Sequence, residues 1–338
     1  APQAGFSASI EHTQLVWREW KRPFEIELVN VHLQKDQNPH WLKIEHIGVS
    51  LWLHLLVRGE VSLKQLRFYH PQILLEKDEK GEFTLGFGES SPSQEFSLKE
   101  IAPLLALGKT SSTLGKLNNL NKITIINAHV FLKDEKEDKT WELPKTTFVL
   151  RRQSEGFRVE LTLQPQQGSG SLILGFSHQL GSPRADITAH FHHISFNQLI
   201  QQKGITLCPP HPEMINVDAL LDFFQCWNLP LQGKVHLAFV PETFQIIKGS
   251  CDINLGKGEL DLSLAKLLPL PITSGNLSFD LSPHTIEIKK ASLLSDEMLV
   301  DLSGKIDSPA SPLFLTKLMD SGQTLTFQGK VEDLFLDH

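Results

Sequence analysis

The sequence predicts a mainly β fold, and three observations carry that prediction. Apolar and polar residues alternate with period two over many short runs, the pattern of strands with one face turned from water. Roughly seventeen such runs stand against about four short helical segments, far from the balance of an average domain. Turn-forming residues punctuate the runs, as at Gly256-Lys-Gly258, Ser282-Pro283 and Ser308-Pro309.

The runs come in order. Phe24, Ile26 and Leu28 alternate with Glu25 and Glu27, and Ile47, Val49, Leu51 and Leu53 repeat the pattern. Val159, Leu161 and Leu163 follow, then Leu172, Leu174 and Phe176, then Ile187, Ala189 and Phe191. Val235, Leu237 and Phe239 share a face. So do Leu260, Leu262 and Leu264, and Leu277, Phe279 and Leu281. Ile286 and Ile288, Val300 and Leu302, and Leu325 and Phe327 complete the series.

The phase slips between Val61, Leu63 and Leu66, Phe68, and again between Ile123, Ile125 and Ala128, Val130. A one-residue slip turns an apolar face around, so β-bulges are expected near Lys64-Gln65 and Ile126-Asn127.

Helix starts are read at Ser97-Leu-Lys-Glu100, at Ser195-Phe-Asn-Gln198 (ending at Gly204), at Asn216 before Val217 to Trp227, and at Ser311-Pro312, stopped by Gly322. Loops are expected at Glu89 to Ser93 and Pro165 to Ser171. The Cys208-Pro-Pro-His-Pro212 punctuation places a soft boundary near 205–215, giving modules 1–204 and 205–338.

The 338-residue chain is long enough for a sizeable core, and 40% hydrophobic and 21% charged residues are ordinary for a folded protein. A net charge of −7 gives no nucleic-acid footprint. The short basic clusters Arg18, Lys21, Arg22 and Arg151-Arg152 read as solvated strand ends. Cys208 and Cys226 bracket a plausible disulfide loop, but three free thiols, with Cys251, fit as well, so cysteine does not fix the compartment. The longest apolar run, Ile47 to Val57, is too short to span a bilayer. The start at Ala1-Pro2 reads as a piece of a longer protein.

Apolar strand faces must leave water, at about 25 cal/mol per Å². Four short helices cannot cover so many. Two architectures satisfy the requirement: a sandwich or barrel closed on itself, the commoner solution, or a sheet curled into a trough filled by an external apolar ligand. Alternation does not separate them.

Leu42 to Phe83 carries a Leu55-Leu-Val-Arg-Gly59 turn, then Pro71, then Asp78-Glu-Lys-Gly81 closing a strand. Leu229 to Asp307 carries Pro230-Leu-Gln-Gly233, a Gly256–Leu264 hairpin, Leu268-Pro-Leu-Pro271 and Leu302-Ser-Gly-Lys-Ile306. These stretches resemble AsmA-like envelope proteins of the YhdP–TamB type, bacterial bridge-like lipid transfer proteins. The motifs are mostly Leu, Gly and Pro in β context. The resemblance implies an elongated, twisted antiparallel sheet curled into a hydrophobic groove, with a few short helices. It implies a periplasmic protein attached to the inner membrane of a Gram-negative bacterium and handling phospholipid bound for the outer membrane. The membrane helix that precedes this module in the family is absent, so attachment would run through a segment not in this chain. Envelope protein partners would be further contacts.

On that reading no cofactor and no catalytic residue is needed, and the chain is not an enzyme. The groove floor would comprise Val49, Leu51, Leu63 and Phe68 in the first half. In the second half it would comprise Leu237, Phe239, Leu260, Leu262 and Leu277, with Phe279, Ile286, Ile288, Val300 and Leu302. Each could equally be an ordinary core residue. A non-transporting envelope scaffold or partner-binding β-protein with a closed core is the alternative, and a β-sandwich enzyme a more distant one.

Polar motifs add little. His190 and His192 share a strand face, a spacing that can support a metal, but no carboxylate or cysteine lies close in sequence. Gly168-Ser-Gly170-Ser171 lacks the lysine of a phosphate loop. No Gly-x-Ser-x-Gly elbow or His-Glu-x-x-His occurs. Asp134-Glu-Lys-Glu-Asp138 reads as a solvated hairpin tip.

Overall fold

The computed structural model describes residues 6–17, 25–35, 38–77, 83–87, 96–97, 119–134, 139–165, 170–195, 201–203, 227–243, 245–260, 270–295, 299–307 and 326–332. The chain packs as two units: Ala1–Ser154 with Gln202–Gly204, and Glu155–Gln201 with Ile205–His338. The composition break expected near 205–215 lies outside the described residues.

The first unit contains β1 (Phe6–Val16), β2 (Glu25–Lys35), β3 (Asn38–Leu51), α1 (Leu53–Leu56) and β4 (Leu63–Tyr69). It continues with β5 (Gln72–Lys77), β6 (Phe83–Phe87), β7 (Phe96–Ser97), β8 (Lys122–Asp134) and β9 (Lys139–Gln153). Strands β1 to β4 form an antiparallel meander. β8 then runs parallel to both β4 and β5, and β9 returns antiparallel to β8. The sheet is therefore mixed, which corrects the purely antiparallel expectation. A parallel neighbour needs a long crossover. The chain between β5 and β8, which includes β6 and β7, supplies it.

Both expected bulges are present. Ser50 pairs with Gln65 and Leu51 with Leu63, leaving Lys64 as the extra residue. Ile125 pairs with Phe148 and Ala128 with Thr146, so Ile126 and Asn127 together face Thr147. Asn127 takes φ +52° and donates its N–H to Thr147 Oγ1 at 3.3 Å. The apolar alternation past Leu51 does not continue as strand. Leu53–Leu56 is one helical turn, with Leu56 N–H to Trp52 O and Val57 N–H to Leu53 O both 3.0 Å. Gly59, at φ +80°, closes it in the left-handed conformation that glycine adopts without strain.

One face of this sheet is apolar. Ile26, Val49, Leu66, Ile123 and Leu150 stand in cross-strand register, and a parallel row runs Leu28, Ile47, Phe68, Ile125, Phe148. Val31, Ile44 and Ile47 are its buried centre. The reverse face is also buried but polar: Glu25, Glu27, Gln65, Arg67 and Thr124 lie under it.

The second unit begins with β10 (Gly156–Leu163), β11 (Ser171–Gln179) and β12 (Ala185–Ile194). β13 (Gln201–Lys203) follows in the chain but lies almost wholly in the first unit, where it pairs with β9. Then come β14 (Trp227–Asn228), β15 (Leu231–Val240), β16 (Gln245–Leu255), β17 (Gly258–Leu260), β18 (Leu270–Ile272), β19 (Ser274–Ser282), β20 (Thr285–Leu294), β21 (Leu299–Asp307) and β22 (Thr326–Glu332). β10, β11, β12, β15, β16, β19, β20, β21 and β22 pair successively, all antiparallel, as one meander. The Pro283-His284 turn joins β19 to β20 where Ser282 pairs with Thr285.

Some expectations fail here. Gln201–Lys203 is strand where the second helix was expected to end, because its backbone finds a ladder partner in β9. Trp227, expected in the third helix, opens β14 and pairs with Leu260. Of the expected Gly256–Leu264 hairpin, Gly258–Leu260 is β17, which joins β14 and β18 in a separate three-stranded sheet, and 261–264 lie outside the described residues. Ser97, expected to cap the first helix, ends β7, and apart from Ser195 the rest of the four expected helices lies outside the described residues, as do most of the two expected loops and the tip 135–138. Among the described residues α1 is the one α-helix.

Candidate functional site: an apolar face across nine strands

Strand register builds the site. One row crosses the meander as Leu163, Leu172, Phe191, Gly233, Ile253, Leu277, Ala291, Leu302 and Val331. A second runs Val159, Phe176, Ile187, Leu237, Gly249, Leu281, Ile286, Ile306 and Phe327. Every position in both is apolar or glycine. Eight strand spacings of about 4.8 Å make this face roughly 38 Å wide.

The opposite face is polar and open to water. Its matching row includes His190, Lys234, Asp252 and Lys290, all exposed. Thr188, His236, Ser250 and Asp280 continue it. Asp186 there accepts hydrogen bonds from Arg184 Nε at 3.1 Å and meets His236 Nε2 at 2.9 Å. Burial alone would raise its carboxyl. The bonds and charges of Arg184 and His236 together outweigh that and hold it below the ordinary carboxylate range.

A cleft of about 530 Å³ opens on the apolar face. Its walls come from β12, β15, β16, β19, β20 and β21, and Asn276 and Ser292 are the polar side chains among them. The floor is shaped by departures from regular pairing. Lys289 is the extra residue of a bulge between β19 and β20, so Ile288 and Ala291 both stay on the apolar side. Ile247 is the extra residue between β15 and β16, which pairs Phe239 with Ile246. A Cβ on Gly249 would fall 2.7 Å from Leu237 and 2.8 Å from Leu281, so the glycine makes room for both. Cys251 lies in the cleft wall. Its thiol is pushed up to about 12 by burial and by the neighbouring Asp252 charge, which leaves it a neutral apolar group.

Of the expected floor residues, Leu277, Phe279, Val300 and Leu302 line the cleft. Leu237, Phe279 and Ile286 pack around buried Ile246 and Leu281. Ile288 is half-buried on the same face, and Phe239 is buried. Leu260 belongs to the small sheet, so it is not on this face, and Leu262 lies outside the described residues. Val49 and Phe68 pack against Val31, Ile44 and Ile47 in the first unit, where Leu51 pairs with Leu63. Sequence reasoning missed Cys251, Ile253 and Leu255, whose alternation with Asp252 and Asn254 was the available signal. It also missed Ala291 and Leu293, hidden by the bulge at Lys289.

His190, His192 and His193 are exposed, and no group of three or more His, Cys, Asp or Glu side chains able to hold a metal occurs among the described residues. Cys208 and Cys226, and the basic cluster Arg18, Lys21, Arg22, lie outside them. No helix among the described residues is long and apolar enough to cross a membrane. No family model, no curated protein and no solved structure matches this chain.

Proposed function

We propose that the apolar face of the second unit shelters phospholipid acyl chains, and that the chain is a lipid-handling segment of an AsmA-like cell-envelope protein. One observation carries this reading: a cleft of about 530 Å³ walled almost wholly by hydrocarbon, on a face whose reverse is solvated. The volume falls in the range of ligand pockets, about 300–1,000 Å³. Each methylene moved from water into it gains about 0.8 kcal/mol, so ten methylenes gain roughly 8 kcal/mol. The headgroup stays in water. Similar rows on successive strands would let a chain slide with little change in free energy, which is how such a face supports movement of lipid between inner and outer membranes in the periplasm. The reading needs apolar side chains in register and no reacting group.

The test is lipid extraction and mass spectrometry of the purified chain beside a Leu302→Asp variant. Phospholipid is expected with the parent chain and not with the variant, while circular dichroism stays β-rich in both. Parent chain free of lipid, or full retention by a folded Leu302→Asp, rejects the proposal.

A further inference from the structure

We infer that Phe279 is the end wall of the cleft on the second unit's apolar face and sets the length of acyl chain that the cleft accepts. The inference rests on the acyl-chain reading above and names the side chain that limits it.

Cross-strand rows locate the wall. Three successive rows of the apolar face line the cleft: one through Leu255, one through Leu277, and a third through Val235, Cys251 and Phe279. Rows lie two residues apart, roughly 7 Å along a strand, so the three span about 14 Å in that direction. The next row is Leu237, Gly249 and Leu281, and none of it lines the cleft.

That fourth row is packed core. Ile246 is fully buried and Leu281 is 7% exposed, and Leu237, Phe279 and Ile286 pack against them. Leu237 and Leu281 both reach over Gly249, standing 2.7 Å and 2.8 Å from the place its Cβ would take. The missing side chain lets them fill the space behind Phe279. Among the described residues, Phe279 is the one member of this core cluster that also lines the cleft. It is the bulkiest side chain of its row, with Val235 and the neutral thiol of Cys251 beside it.

An acyl chain lying along the strands, methyl end toward Phe279, shelters each methylene until it meets the ring. The packed core behind admits no further atoms without forcing its side chains off their preferred rotamers. Methylenes beyond the limit are left in water, at about fourfold in affinity each relative to a bilayer that shelters them all. The wall stops motion along the strands and not across them, so it is compatible with passage of lipid from strand to strand.

The test is lipid exchange between the full chain and vesicles of mixed phosphatidylcholines with saturated chains of ten to twenty carbons, the bound lipids being extracted and weighed by mass spectrometry. For the parent, bound composition is expected to follow the vesicle up to a limiting length and then to fall about fourfold per added methylene. Phe279→Ala is expected to move that limit to longer chains by at least about two carbons, and Phe279→Leu to move it the same way by a smaller step. Val235→Phe, which adds bulk to the same row, is expected to move it to shorter chains. Circular dichroism checks that each variant folds, and the two conservative changes carry the test if Phe279→Ala does not. No limiting length in the parent, or a limit unmoved in folded Phe279→Leu and Val235→Phe, overturns the inference and leaves the acyl-chain reading standing. No lipid bound by the parent at any length overturns both.

Discussion

The two units use the same strand alphabet and treat their second faces differently. In the first, the face behind the apolar rows is buried. Arg67 Nη1 donates to Glu25 Oε2 at 2.6 Å, Gln14 donates to Glu27 at 2.9 Å, and Gln65 reaches Thr124 Oγ1 at 3.4 Å. Gly48 lacks the Cβ that would collide with the Glu25 carboxylate. In the second unit the corresponding face carries exposed His190, Lys234, Asp252 and Lys290, and the apolar face opens into a cleft. Period-two alternation says that a strand has two faces. It does not say which face is wet, or what covers the dry one.

The largest expected effect breaks the comparison on its buried side. Arg67→Ala leaves the Glu25 carboxylate without its guanidinium in a buried site, an expected cost of about 3–5 kcal/mol in urea unfolding. Lys234→Ala, on the exposed reverse face of the second unit, is expected to change stability by less than about 0.5 kcal/mol. Equal effects would mean that the two reverse faces are alike.

Next come the apolar faces themselves. Ile44 is 2% exposed, and Ile44→Ala is expected to cost about 2–5 kcal/mol. Leu277 lines the cleft and is half-buried, so Leu277→Ala removes fewer protein contacts and is expected to cost less than about 2 kcal/mol. A cost for Leu277→Ala matching that of Ile44→Ala would mean the cleft wall is interlocked core.

Much of this was legible in advance. The rows through Leu237, Phe279 and Leu302 follow from alternation, and the bulges at Lys64 and Ile126–Asn127 follow from single-residue slips. What was not legible depends on pairing partners. Leu260 alternates like its neighbours, yet it pairs with Trp227 and Leu270 on another sheet, and local pattern carries no record of the partner strand. Leu53 alternates too, but Gly59 allows a helical turn and the strand stops at Leu51. Cys251 was read only as a free thiol beside a possible Cys208–Cys226 disulfide and not as part of the apolar face, where a buried neutral thiol serves as a small apolar side chain. The burial of Glu25 and Arg67 was hidden because charged residues on a strand ordinarily signal its solvent face.

Smaller effects sharpen the same contrast. Asp186 has a lowered folded pKa, so its contribution is present above the unfolded value near 3.9 and is lost as pH falls through the folded value. Asp186→Asn is therefore expected to cost about 1 kcal/mol at neutral pH, with the difference from the parent vanishing in strong acid. In a Cys208→Ser/Cys226→Ser background, alkylation of Cys251 is expected to be slow at pH 8 and to rise toward pH 12, because the thiolate is the nucleophile and burial suppresses it. Fast alkylation at pH 8 would place that wall in water.

The most direct measurement puts a photo-crosslinking side chain at Leu302 on the apolar face, or at Asp252 on the polar face, irradiates the protein in phospholipid, and weighs the products. Adducts of phospholipid mass at position 302 and none at position 252 are expected. Adducts at both positions, or at neither, would contradict the assignment of acyl chains to one face of the nine-strand sheet.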